Sequence, residues 1–210
     1  EAGSGKSALV RRIASEALED GDWVTPQLRI PSGSDPIKRV ASALLTLADT
    51  AGLPAAREQR IGDLLRRVES VAASGISLSV RAQDGAEPYT ALTDLLIEIG
   101  RAATKRHAMV MIHIDEVQNI TDEHTRSQLL TALGDALAHE EPTTIPGRLS
   151  VTSALPIAVY LTGLPEFANM AGARSGATFA RRFQTTTLET IDDDELLAAL
   201  HPFISQGWPI

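Results

Sequence analysis

The 210-residue chain contains no cysteine. That excludes disulfides and thiolate metal centres, and it fits the reducing cytoplasm, where the chain is expected to reside. Aromatic residues make up only 4% of the chain, so the core must be built from Ala, Leu, Ile and Val. Tyr89, Trp23 and Trp208 are too scattered to form a stacking platform for bases. Basic charge is in deficit: 19 Lys and Arg against 27 Asp and Glu leave a net charge of −8. A surface of that sign is a poor nonspecific binder of nucleic acid. No apolar run reaches the ~18 residues of a bilayer span, and no secretory segment opens the chain, so no membrane role is expected. There is no initiator Met, and the abrupt start reads as a domain trimmed from a longer protein.

What is present is enough chain for one large or two small domains. Helical spacing of apolar residues predicts helices over about 5–19, 36–50, 57–73, 88–106, 121–139, 165–171, 175–182 and 192–205. Strands are expected at "WVTPQLRI" (23–30), at the alternating 76–81, at "FQTTTLET" (183–190) and at two apolar runs. Those runs, "HAMVMIHIDE" (107–116) and "IAVYLTG" (157–163), read as strands buried on both faces of a parallel sheet. "EEPTTIPGRLS" (140–150) reads as a polar loop. Strands alternating with helices predict an α/β fold with crossover helices.

Three short stretches carry chemistry. Gly3-Ser4-Gly5-Lys6-Ser7 opens the first helix. Its glycines allow backbone N–H groups to turn toward a phosphate, and the helix start adds free N–H groups and a positive dipole end. Lys6 could reach the β- and γ-phosphates, and the Ser7 hydroxyl could hold Mg²⁺. The same residues also suit a Gly-Ser turn that caps a helix. The first Gly of the full phosphate-loop signature would precede Glu1. Second, "VMIHIDE" ends a buried strand with Asp115 and Glu116, where ligands of open α/β sheets bind. Asp115 could hold Mg²⁺ and Glu116 could deprotonate a water, although a solvated acidic turn would look alike. Third, Thr162 ends a later strand; its hydroxyl could bond the attacking water or the γ-phosphate, or simply form a turn. His113 reads as a core histidine, and no histidines show metal spacing.

Taken together the chain resembles the AAA+ ATPases. "GSGKS" is similar to their Walker A loop, "VMIHIDE" to Walker B, and "YLTGLPE" to the sensor-1 strand and turn. "FARRFQTTTLETIDDDELLAAL" resembles the stretch that carries the arginine finger, the last core strand and the entry to a helical lid. The resemblance is greatest to a bacterial and archaeal branch of replication initiators and signalling ATPases. It implies a three-layer P-loop NTPase fold, with a parallel sheet in order 5-1-4-3-2 whose first strand would precede the loop. It implies a nucleotide-binding core over 1–190 and the start of a lid over 191–210; the region at about 31–90 departs from the family pattern and reads as an insertion. The implied ligands are ATP or ADP with Mg²⁺. Gly3, Ser4, Gly5, Lys6, Ser7 and Ala8 would bind nucleotide, with Ser7 and Asp115 on the metal. Glu116 would be the acid–base residue, Thr162 sensor 1, and Arg182, or else Arg181, the arginine finger. A cationic helix end would account for the two arginines equally well. Homo-oligomer assembly is implied, with a DNA or protein client reached through domains beyond this chain. A nucleotide-dependent signalling switch with little turnover is the alternative, and a P-loop kinase ranks below both.

Overall fold

A computed structural model describes residues 5–51, 63, 66, 88–143, 151–164, 183–188 and 192–206, to which all structural statements refer. The elements in chain order are α1 (Lys6–Glu19), β1 (Trp23–Val24), β2 (Leu28–Arg29), α2 (Pro36–Thr50) and α3 (Pro88–Arg106). They continue with β3 (Val110–Asp115), a 3₁₀ turn (Val117–Asn119), α4 (Glu123–Ala138), β4 (Glu140–Thr143), β5 (Val151–Ala154), β6 (Ile157–Leu161) and α5 (Asp193–Gln206). The expected helices at 165–171 and 175–182 and the strand at 76–81 lie outside the described residues. Of the helix expected at 57–73, only Asp63 and Arg66 are described; both are helical and form an ion pair one turn apart.

β3 is the centre of a parallel sheet. All six of its residues are buried, as its near-continuous apolar run predicts. β6 pairs along one edge from Val110↔Ile157 to Ile114↔Leu161. β1 and β2 both pair with the opposite edge, at Trp23↔Val110 and Leu28↔Ile114. The single strand expected over 23–30 is therefore interrupted. Thr25, Pro26 and Gln27 span the distance covered on β3 by Ile112 and His113, which makes a bulge. Pro26 has no N–H to donate to the ladder. At the bulge the Thr25 hydroxyl serves instead as an acceptor for the strand opposite, taking the His113 amide at 3.4 Å.

Two layers of helix flank this sheet. Val110, Ile112 and Ile114 face a core that includes Leu44 and Leu47 of α2, Leu92, Leu95 and Ile99 of α3, and Leu129 and Leu133 of α4. Alanines at 41, 91, 102, 103, 132 and 136 are buried among them, so the helices lie close and aromatic bulk is not needed. The alternate face of β3 carries Met111, His113 and Asp115. There α1 packs against β1 and β3 and buries Val10.

Three expectations are corrected. β6 is not buried on both faces as its apolar run predicts: only Ile157 is buried and Ala158, Val159, Tyr160 and Leu161 are half-buried, with no strand beside its outer edge among the described residues. The stretch 140–150 is not all loop: β4 pairs antiparallel with β5, from Glu140↔Ala154 to Thr143↔Val151. Its strand character is hidden in the sequence because every residue of β5 is exposed, so no apolar alternation marks it. Nor do residues 183–188 form a strand. Among the described residues no strand lies beside β6 on its outer edge for them to continue, although Phe183 does pack on the core.

Candidate functional site

The site assembles at the C-terminal edge of the sheet. Gly5, with φ of 77°, is the N-cap of α1. That conformation suits glycine, and glycine has no side chain with which to cap the first turn. Lys6 and Ser7 follow on the first turn, half-buried, and Ala8 is exposed. Gly3 and Ser4 lie outside the described residues, as do Arg181 and Arg182.

Asp115 ends β3 and is 6% exposed. Burying a carboxylate is costly unless its lone pairs are satisfied, and here all are. Oδ1 accepts from the Thr162 hydroxyl at 2.6 Å and from the Glu116 amide at 3.0 Å. Oδ2 accepts from Gln27 Nε2 at 2.6 Å and from the Ser7 hydroxyl at 3.3 Å. Burial pushes the carboxyl upward, but the bonds from Thr162, the Glu116 amide and Gln27 favour the charged form and hold it below the ordinary carboxylate range. An ionised oxygen donor beside a serine hydroxyl is the ligand chemistry Mg²⁺ takes, with its remaining positions left to water and phosphate. The residues present therefore fit that ion, with the Ser7 oxygen as the ligand and Asp115, whose lone pairs are occupied, acting through that hydroxyl or through water.

Thr162 follows β6, whose parallel pairing with β3 brings it to the same edge; its amide donates to the Ile114 carbonyl at 2.9 Å. Its hydroxyl also lies 2.9 Å from His113 Nε2. A hydroxyl has one proton. With that proton given to Asp115, Thr162 accepts from His113, which assigns the imidazole as the Nε2–H tautomer. Burial pushes the His113 pKa down, against the opposing pull of Asp115, so the ring is neutral at pH 7. The reading of His113 as a core histidine holds, since it is 3% exposed, yet it also fixes the rotor of a site residue.

Glu116 leaves the strand in the left-handed region, at φ 61° and ψ 38°. Such a conformation costs a non-glycine residue roughly 1 kcal/mol, and here it turns the chain into the 3₁₀ segment that follows. The Glu116 Oε2 accepts from Gln118 Nε2 at 2.5 Å. Asn119 anchors that segment by donating to the Ile30 carbonyl at 2.8 Å.

Ser7, Asp115, Glu116 and Thr162 are thus brought together from three separate elements. Gln27 and Gln118 were not among the residues singled out from the sequence. For Gln27 the available signal was Pro26, which marks a bulge that can re-aim a side chain. For Gln118 no sequence signal exists apart from its spacing to Glu116. Among the described residues no group of three or more His, Asp or Glu could hold a metal, and no helix is long and apolar enough to cross a membrane.

The family model for the AAA ATPase domain matches residues 1–151. No curated protein and no solved structure gives a significant match. The parallel sheet flanked by helices is the α/β arrangement of P-loop NTPases, and β6, β3 and the β1/β2 edge run in the 4-3-2 sense of the expected order. Nucleotide binding and NTPase-type activity are the general properties that this membership carries. The chain belongs to the AAA ATPase domain family.

Proposed function

We propose that this domain binds Mg-ATP and hydrolyses it to drive a conformational change or assembly. The observation that carries the reading is the convergence of Ser7 and Thr162 on the Asp115 carboxylate, from positions 108 and 47 residues away. Within a family of ATPase domains, that places the start of the loop helix and the ends of two parallel strands around one point. Gly3, Ser4, Gly5, Lys6 and Ala8 would cradle the phosphates, with Lys6 as the point charge. Ser7 and Asp115 would hold Mg²⁺, which when bound supplies charge neutralisation on the phosphates. Glu116 would orient a water and take its proton. Thr162 would bond that water or the γ-phosphate, which requires its hydroxyl to turn from Asp115. Arg182, or else Arg181, would reach a neighbouring subunit's nucleotide, making turnover depend on homo-oligomer assembly. We read 1–190 as the nucleotide-binding core and 191–210 as the opening of a lid. The insertion at about 31–90 then includes α2, which is part of the hydrophobic core. DNA or protein clients are assigned to further domains, and the cytoplasm is the proposed location.

A switch that binds nucleotide with little turnover is the second reading. It is favoured by the engagement of both Thr162 and Glu116 within the protein. Turnover of the full-length protein, measured against concentration, separates the two. Under the first reading turnover rises with assembly, Arg182→Ala and Glu116→Gln abolish it, and Glu116→Gln still binds ATP. Concentration-independent turnover with a silent Arg182→Ala would remove the finger assignment. Unchanged nucleotide affinity in Lys6→Ala would remove the site altogether.

A further inference from the structure

We propose that Gln118 is a positioning residue, which ties the Glu116 carboxylate to the turn after β6. The inference rests on the hydrolysis reading above, in which Glu116 is the base. Gln118 lies in the 3₁₀ turn two residues beyond Glu116. Its Nε2 donates to Glu116 Oε2 at 2.5 Å, and its Oε1 accepts from the Leu164 amide at 3.3 Å. The two bonds demand the same orientation of the amide, and flipping it would break both. Gly163 makes room for this arrangement: a Cβ there would lie 2.8 Å from Gln118 Oε1 and 2.8 Å from Val117 Cγ2.

The backbone already joins the two turns. The Thr162 amide donates to Ile114 at 2.9 Å, and the Val117 amide donates to the Thr162 carbonyl at 3.2 Å. Gln118 continues this ladder with its side chain, past the point where strand pairing ends. Glu116 needs such a partner. Its left-handed backbone takes it out of the strand's alternation, and its long side chain has several rotamers to lose. The turn that holds Gln118 begins with Thr162, so the base and the second water-binding group are set by one short segment, residues 162–164. A shift of that segment on nucleotide binding would move both together.

The test is steady-state ATP turnover and nucleotide affinity of the full-length protein carrying Gln118→Ala, Gln118→Glu, Gly163→Ala or Glu116→Gln, with thermal unfolding recorded for each. Gln118→Ala is expected to lower kcat on the order of tenfold to a hundredfold, the scale of a misplaced catalytic group, with nucleotide affinity unchanged. Gln118→Glu keeps the shape, loses the donor and should do the same. Gly163→Ala, whose Cβ would press on Gln118 Oε1 and on Val117 Cγ2, should also lower kcat, with some loss of unfolding temperature from the Val117 contact. An unchanged kcat in both Gln118 variants, with Glu116→Gln inactive, would overturn the inference and leave the hydrolysis reading standing. A parallel loss of affinity and unfolding temperature in both Gln118 variants would make the role structural and overturn it too. If Glu116→Gln keeps full turnover, the hydrolysis reading falls and the inference with it.

Discussion

Asp115 concentrates much of the site's chemistry in one side chain. Its carboxylate accepts four hydrogen bonds, from Ser7, Gln27, Thr162 and the Glu116 amide, and is held below the ordinary carboxylate range in the folded chain. A depressed folded-state pKa means that the charged form is preferred by the native state, so its contribution is fully present above the unfolded value of about 3.9. It is lost as pH falls through the lower, folded value. Urea unfolding from pH 6 down to pH 3 should therefore show the wild type losing stability more steeply than Asp115→Asn at the acid end. At pH 6 the variant should be less stable by about 1–3 kcal/mol, since a neutral amide cannot accept from all four donors.

The elements whose ends carry short polar side chains are the ones most legible in advance. Asp35 accepts from the Lys38 amide at 3.1 Å ahead of Pro36, and α2 runs over the expected 36–50. Asp192 and Glu195 cap α5 reciprocally, at 2.8 and 3.3 Å. Asp122 caps α4 by accepting from the Thr125 amide at 2.7 Å and from its hydroxyl at 2.5 Å. Removing that acceptor in Asp122→Ala should cost about 1 kcal/mol, while Asp122→Asn should retain most of the stability; shifts in the denaturation midpoint would distinguish them. The β4–β5 hairpin had no such punctuation. Its residues are mainly exposed and one is Pro142, so neither the alternation nor the composition of a buried strand was there to read. The bulge at Thr25–Gln27 was hidden differently: a strand pattern is insensitive to one extra residue, whereas pairing with β3 is not.

Across the whole molecule, close packing of small residues replaces aromatic bulk. Gly100 on α3 shows how close. A Cβ at that position would lie 3.0 Å from the side chains of both Leu155 and Ile157, where α3 passes the entry to β6. Gly100→Leu should thus destabilise the fold by about 1–3 kcal/mol through overpacking, read as a lowered midpoint in chemical unfolding. Because Ile157 opens the strand that leads to Thr162, nucleotide affinity in this variant also reports whether the site tolerates a shift of β6.

Local chemistry was enough to establish the α/β class, the helix that opens at Lys6, the buried β3, the existence of β6 and the acid pair that follows β3. Each depends on residue order within one segment: 3.6-residue periodicity, an unbroken apolar run, a glycine before a lysine. Only the tertiary structure decided what surrounds Asp115. Gln27, Ser7 and Thr162 lie 88, 108 and 47 residues away from it, and no pattern in a linear chain records which distant donors a buried carboxylate will recruit. The demand for those donors is set by desolvation, which exists only once the sheet and α1 have closed over the site.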